Sequence, residues 1–375
     1  MILIFVGYCP NPAILTQRFR FLLGIRMLKT IRFRPQELAY RTQYAELKER
    51  VLAAHTLLPG TPGTLYLRSG SGNSYWYRVY YSVPGKQAET LVCKDGNDEA
   101  LEDMRERIKF AEWVSEQVAV FRKLGLQVAD KSVARVLVEL HARGAFDAGL
   151  VLVGTLGYMA WLNELGVVAV AARTRDVDLA RGKSLKLAAP LSFLPTMQAT
   201  GMPFVAVPGM PASQPSTSVK LPGVDGLRID LLAPGDTLGA IIRIPELDWA
   251  AQAIPFYDYL LKSPEPAACL AGGHCVPVRI PQAARMFWHK LYSSVSRAGF
   301  PEKAAKDREQ ALVLAAALME DGPMPLRRAF KDAPAGLIRA LIPARETFLR
   351  HAGDHQELRQ LLDRCLNARL LTDQD

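Results

Sequence analysis

Asp176 and Asp178 are separated by a single residue in the run Arg173-Thr174-Arg175-Asp176-Val177-Asp178-Leu179-Ala180. On a β-strand, side chains two residues apart point to the same face. Both carboxylates therefore share one side, while Val177 and Leu179 enter a core. Adjacent carboxylates repel, and each raises the other's pKa unless a cation lies between them. Mg²⁺ prefers carboxylate oxygens together with substrate phosphates. A solvated edge strand would show mixed polar residues rather than two aspartates framed by apolar ones. The pair predicts a divalent-metal site for Mg²⁺ or Mn²⁺.

Two further segments bear on this site. In Leu227-Arg228-Ile229-Asp230-Leu231-Leu232, one aspartate interrupts an apolar strand. A charge there is costly to bury. Asp230 either completes the metal site from a neighbouring strand or serves as a strand-end cap or ion-pair partner. Asp225 and Asp236 compete with it, but both adjoin glycines in turns. In Leu152-Val153-Gly154-Thr155 a strand runs into a helix. Glycine permits close backbone approach, and a helix start offers free N–H groups beside the threonine hydroxyl, an arrangement suited to phosphate. The same dipeptide also serves as an ordinary turn and cap.

The elements that must position these residues follow from periodicity and punctuation. Pro35 marks a helix start, with Leu38, Leu47, Val51, Ala54 and Leu58 at helical spacing, ended by Pro59-Gly60-Thr61-Pro62-Gly63. A three-stranded meander is expected over Thr64–Arg68, Ser74–Tyr81 and Ala88–Cys93. A long helix follows from Asp98 to Leu124, with Asp95 or Asn97 as its cap. From Lys131 helix and strand alternate: helix Ser132–Arg143, strand Gly149–Val153, helix Thr155–Leu165, then strands Val167–Ala172 and Val177–Ala180. A proline-rich loop (Pro203 to Pro222) leads to the strand Leu227–Leu232. From Pro281 the chain reads as helical.

The order Gly-Thr, Asp-x-Asp, then a single Asp on a later strand resembles the polymerase-β-type nucleotidyltransferase superfamily. Gly154-Thr155-Leu156-Gly157-Tyr158, Thr174 to Ala180, Val278 to Leu291, Arg297 and Lys306-Asp307-Arg308-Glu309-Gln310 are similar to a bacterial nucleotidyltransferase-like family related to toxin-type nucleotidyltransferases. The likeness spans Val151 to Leu318. It implies that Asp176, Asp178 and Asp230 are catalytic and hold two divalent metals, while Gly154 and Thr155 hold a nucleoside triphosphate. It also implies transfer of a nucleoside monophosphate to an acceptor hydroxyl. Gly-Thr replaces the commoner Gly-Ser, the gap from Gly154 to Asp176 is long, and the third carboxylate lies beyond a proline-rich insertion.

The fold class expected is α+β. A nucleotidyltransferase core with a mixed β-sheet flanked by helices (126–250) joins a helix, meander and long-helix module (35–125), a basic N-terminal arm (1–34) and a C-terminal helical region (251–375). Lys290, Ser294 and Arg297 fall near one helix face. Lys290 and Arg297 either contact the triphosphate or form ion pairs with Glu302 and Asp307, and Lys306 and Asp307 face the same choice. His289 is expected to be packed or capping. His351 and His355 are expected to be exposed, and His274-Cys275 structural. Aromatic residues of the meander, with Arg68, Arg78 and Lys86, either stack bases and hold phosphates or pack on the long helix.

The bulk numbers are consistent with this. With 375 residues, 49% apolar and 22% charged, the chain is long enough for two or three packed units. Five scattered cysteines form no C-x-x-C pair, which argues against a disulfide framework or zinc site and fits a reducing cytoplasm. The charge of +9, with nine Lys and Arg against three Glu in the first 50 residues, favours a polyanionic partner such as RNA or a nucleotide. The acceptor is RNA, a protein side chain or a small molecule; no stable protein partner and no membrane span are expected. The N-terminus does not read as a signal peptide, and Met27 is an alternative start.

Overall fold

The computed structural model describes residues 32–70, 72–170, 174–297 and 299–367. The basic arm expected over 1–34 lies outside this range except for 32–34, as do Arg173 and the last residues expected in the strand Val167–Ala172.

Pro35 does not start a helix. It belongs to a two-residue strand, β1 (Arg34–Pro35), paired antiparallel with Val167–Val168. A proline lacks the N–H that a central strand needs, and a two-stranded edge tolerates this. Helix α1 (Leu38–Ala54) begins three residues later and buries Tyr44, Leu47 and Val51. The meander then forms as β2 (Thr64–Gly70), β3 (Asn73–Val83) and β4 (Lys86–Lys94), in the order β2-β3-β4. Helix α2 (Asp98–Lys123) is capped by Asn97, whose side-chain oxygen accepts from the Ala100 amide at 3.2 Å. Its Val114, Val118 and Phe121 pack with the buried residues of α1.

The core follows. Its elements are α3 (Lys131–Ala142), β5 (Leu150–Leu152), α4 (Gly154–Glu164), β6 (Val167–Val168), β7 (Asp176–Arg181), α5 (Phe193–Ala199), β8 (Val205–Ala206), β9 (Ser218–Lys220), β10 (Arg228–Pro234), β11 (Ile241–Ile244) and β12 (Trp249–Ile254). The sheet runs β11-β12-β10-β7-β5, with β9 on β10 and β8 on β9. It is mixed: β10 is parallel to β7 and β12 but antiparallel to β9, and β5 is antiparallel to β7. Along one side of β10 the first half pairs with β9 and the last half with β12. Val177, Leu179, Ile229 and Leu231 are fully buried and pack with Val133, Val136, Leu137 and Leu140 of α3. This is the α+β core with a mixed sheet flanked by helices.

The helical region does not begin at residue 251. After the short helix α6 (Tyr257–Leu260), β13 (Glu265–Ala271) and β14 (His274–Ile280) form an antiparallel hairpin. Its turn is Gly272-Gly273, with Gly272 at φ 59, a two-residue glycine turn between apolar runs that is itself a hairpin signal. Ala268, Leu270 and Cys275 of this hairpin pack into the cluster of α1 and α2. Helices follow from there: α7 (Ala283–Ser296), α8 (Pro301–Met319), α9 (Met324–Lys331), α10 (Ala335–Leu341), α11 (Arg345–Ala352) and α12 (Gln356–Leu366). No helix of the described residues is long and apolar enough to cross a membrane.

Candidate active site

Strands β7 and β10 pair in parallel with Asp176 opposite Arg228 and Asp178 opposite Asp230. Paired residues on neighbouring strands share a face, so the three aspartates stand on one side of the sheet. Further along the same face, Ala180 and Leu232 are apolar and packed by Met286 of α7 and by Val313 and Leu314 of α8. The two helices thus cover the apolar half of that face. The uncovered carboxylate half opens into a cavity of about 480 Å³, lined by Gly154, Thr155, Asp176, Asp178, Arg228 and Asp230 on the sheet side. Lys290, Arg297, Lys303, Lys306 and Asp307 line the helical side.

Gly154 meets a backbone requirement here. Its φ is 63, a left-handed conformation that L side chains rarely adopt, and a Cβ at this position would lie 2.8 Å from Asp178 Cγ. The Val153 amide donates to the Asp178 carbonyl at 2.9 Å. The start of α4 is thereby pinned beside the Asp178 carboxylate, with the buried Thr155 next to it. The first amides of a helix have no partners within the helix, and here they border a cavity of mixed charge.

Asp178 is half-buried at the base of the cavity. Burial, then Asp230 and Asp176, push its carboxyl up to about 6, while Lys290 and Arg297 pull it back. Asp230 is held differently. Its Oδ1 accepts from Arg228 Nε at 2.7 Å and also from the Ser218 hydroxyl. Ser218 lies directly opposite Asp230 on β9. Neither Arg228 nor Ser218 stood out in the sequence, although the spacing of Arg228 to Asp230 puts the two on one face. Asp225 is exposed and pairs with Arg175 at 2.7 Å, and Asp236 is exposed in a loop after β10. Neither belongs to the trio.

On the facing helices, Lys290 Nζ donates to Asp307 Oδ1 at 3.1 Å and to Gln310 Oε1 at 2.7 Å. Arg297 Nη1 reaches Asp307 Oδ2 at 2.5 Å. The ion-pair alternative therefore describes both cations in this state, with Asp307 as partner, yet both also line the cavity. Ser294 turns to its own helix and donates to the Leu291 carbonyl at 2.7 Å. Lys306 is lowered from the usual lysine range by burial and by Lys290. Counted around the cavity, five cations (Arg228, Lys290, Arg297, Lys303, Lys306) face four carboxylates. Such a lining favours a polyanion accompanied by a metal over either alone.

The donor set fits a hard divalent cation, which takes carboxylate oxygens, and a cation there would relieve the repulsion that raises Asp178. Among the described residues, no three His, Cys, Asp or Glu side chains already surround a common ion position. One oxygen of Asp230 is engaged by Arg228 and Ser218.

His289 lines the cavity but is buried, donates from Nε2 to the Pro255 carbonyl at 3.2 Å and packs edge-on to Tyr257. Burial lowers it to about 4, which suits a packed histidine and not a general base near neutrality. His355 is buried and caps α12, accepting from the Leu358 amide, so it is not the exposed histidine expected. In the meander Arg78 is fully buried and donates to the carbonyls of Pro59, Thr61 and Pro62. Arg68 pairs with Glu89 at 2.6 Å and stacks on Tyr77. Both arginines have partners within the protein, Arg78 in a buried position and Arg68 in an exposed one.

A larger cavity of about 1010 Å³ lies among α1, α2, α3 and the Gly272-Gly273 turn. It contains none of the three aspartates.

Comparison with known proteins gives one finding. A nucleotidyltransferase family model matches residues 131–334, more than half of the chain. This span runs from α3 to the end of α9 and holds every charged residue of the carboxylate cavity. No curated protein and no solved structure matches the chain.

Proposed function

The chain belongs to the nucleotidyltransferase family, and on that premise we propose that it transfers a nucleoside monophosphate from an NTP to an acceptor hydroxyl on RNA or protein, releasing pyrophosphate. The observation that carries this reading is the pairing of Asp178 with Asp230 across β7 and β10, with Asp176 on the same face and the start of α4 beside them.

Asp176, Asp178 and Asp230 would hold Mg²⁺ or Mn²⁺. When bound, such ions supply Lewis-acid stabilisation of the phosphates and lower the pKa of the attacking hydroxyl. The protein's own groups account for the rest. The α4 amides and the Thr155 hydroxyl receive phosphate oxygens at a helix N-terminus. Lys290, Arg297 and Lys306 offset the triphosphate charge from the helical side. In the transfer, the acceptor oxygen forms a bond to the α-phosphorus as the bond from that phosphorus to the bridging oxygen breaks. Pyrophosphate leaves with the electron pair. Asp230 sits to take the acceptor proton and pass it to solvent. Asp307 holds Lys290 and Arg297 on one side of the cavity, and Gln310 adds a second acceptor for Lys290.

The test is transfer of label from α-labelled ATP, GTP, CTP and UTP, with Mg²⁺ or Mn²⁺, offered total RNA and cell extract. Label should move to a macromolecule and be lost in Asp176→Asn and Asp178→Asn. Nucleotide or RNA binding that is unchanged in these variants, with no transfer from any NTP, would replace this proposal with a non-catalytic binding protein that keeps the fold.

A further inference from the structure

Arg228 is two residues before Asp230 and opposite Asp176, so its side chain shares the face of all three aspartates. Its Nε donates to Asp230 Oδ1 at 2.7 Å and its Nη2 to Ser218 Oγ at 2.8 Å. The Ser218 hydroxyl donates to the same Asp230 oxygen. That oxygen therefore faces a fixed positive charge and accepts from a second donor. A guanidinium does not deprotonate in a protein, so only displacement frees Asp230. The pair is open enough to exchange: the Arg228 side chain is 40% exposed and that of Asp230 20%, and ion pairs of this exposure are weak.

We propose that Arg228 is an internal counter-cation that closes the Asp230 arm of the metal site in the free protein and moves to phosphate when a nucleotide enters. Divalent-cation affinity is then low without nucleotide and higher with it. This rests on the reading of the three aspartates as metal ligands. A destination lies within reach, because Arg228 lines the same cavity as Thr155, Lys290 and Arg297. Phosphate oxygens offer a guanidinium a bidentate partner at least as good as the one it leaves. The released Asp230 oxygen becomes available as the guanidinium's charge is neutralised. Since linkage is reciprocal, whatever factor nucleotide adds to metal affinity, metal adds to nucleotide affinity. Arg228 is thus a positioning residue that couples the two ligands.

The test is a titration of the full chain with Mn²⁺ alone, reading free Mn²⁺ by electron paramagnetic resonance, for wild type, Arg228→Gln, Arg228→Lys and Asp178→Asn. Arg228→Gln should bind Mn²⁺ about fivefold more tightly than wild type. Arg228→Lys should stay close to wild type, and Asp178→Asn should bind more weakly. Ser218→Ala, which removes the second anchor of the guanidinium without altering β10, should shift in the same direction as Arg228→Gln by a smaller factor, and it serves if Arg228→Gln does not fold. Equal or weaker Mn²⁺ binding in Arg228→Gln, with Asp178→Asn still impaired, overturns the counter-cation role and leaves the metal site standing. Mn²⁺ binding unaffected by Asp178→Asn removes the site assignment itself, and the role of Arg228 with it.

Discussion

Gly154 and Asp178 share a space that admits a backbone but not a side chain. With φ at 63, Gly154 turns the chain out of β5 into α4, and a Cβ there would approach Asp178 Cγ to 2.8 Å. Gly154→Ala combines a left-handed L residue, costing about 1–2 kcal/mol, with displacement of the carboxylate. A shift of about 1 Å in a reacting group costs on the order of 100-fold in rate. The expected outcome is a protein with native circular dichroism, a Tm lowered by several degrees and transfer reduced at least about 100-fold. Wild-type transfer in Gly154→Ala would show that Asp178 tolerates the displacement.

Lys290 and Arg297 share Asp307 but differ in burial. The Lys290 side chain is 8% exposed and that of Arg297 48%. Removing one partner of a buried ion pair costs about 3–5 kcal/mol, whereas an exposed pair contributes about 1 kcal/mol or less. Urea unfolding should therefore show a large loss in Lys290→Met and a small one in Arg297→Ala. Arg297→Ala should instead weaken NTP binding, read by calorimetry. Equal unfolding losses in the two variants would count against this division.

Burial holds His289 at about 4, below an unfolded value near 6.5. The unfolded chain then binds the extra proton first as pH falls. The neutral histidine's contribution is complete above pH 6.5 and is lost as pH drops toward 4. The shift corresponds to about 3 kcal/mol across that window. His289→Gln, which cannot take the proton, should lose less stability than wild type between pH 7 and pH 4.5 in urea titrations. Parallel losses in the two proteins would refute the assignment.

Arg78 ties the turn between α1 and β2 to the meander through three carbonyls. Arg78→Lys keeps the charge but not the fork that reaches all three carbonyls, and each hydrogen bond lost from the buried guanidinium costs about 1 kcal/mol. The expected result is a marked fall in Tm with unchanged affinity for single-stranded RNA in a filter-binding assay. Weaker RNA binding at unchanged Tm would restore the phosphate-holding alternative for this residue.

The sequence by itself determined the local order of the chain. Period-two alternation around Asp176 and Asp178 set strand and face, because an apolar residue between two charged ones leaves little choice of side. The meander, α2 with a cap at Asp95 or Asn97, and α3 were legible for the same reason: each is specified by residues near in sequence, and the structure selects Asn97. The C-terminal helices were expected from Pro281 and begin at Ala283, but the helical region drawn from residue 251 took in the β13–β14 hairpin, whose two-residue glycine turn is a local hairpin signal. Only the tertiary structure decided what depends on register and crossing. It brought Asp230 beside Asp178 by pairing two strands far apart in sequence, and it placed Ser218 on the other edge of β10 through a proline-rich excursion. It also turned Lys290 and Arg297 onto Asp307 while leaving them at the cavity wall. The ion pair of Arg228 with Asp230 belongs to both levels. Spacing put the two on one face, but the folded sheet, with Asp176 and Ser218 beside them, set that contact within the carboxylate cavity proposed to hold the metal.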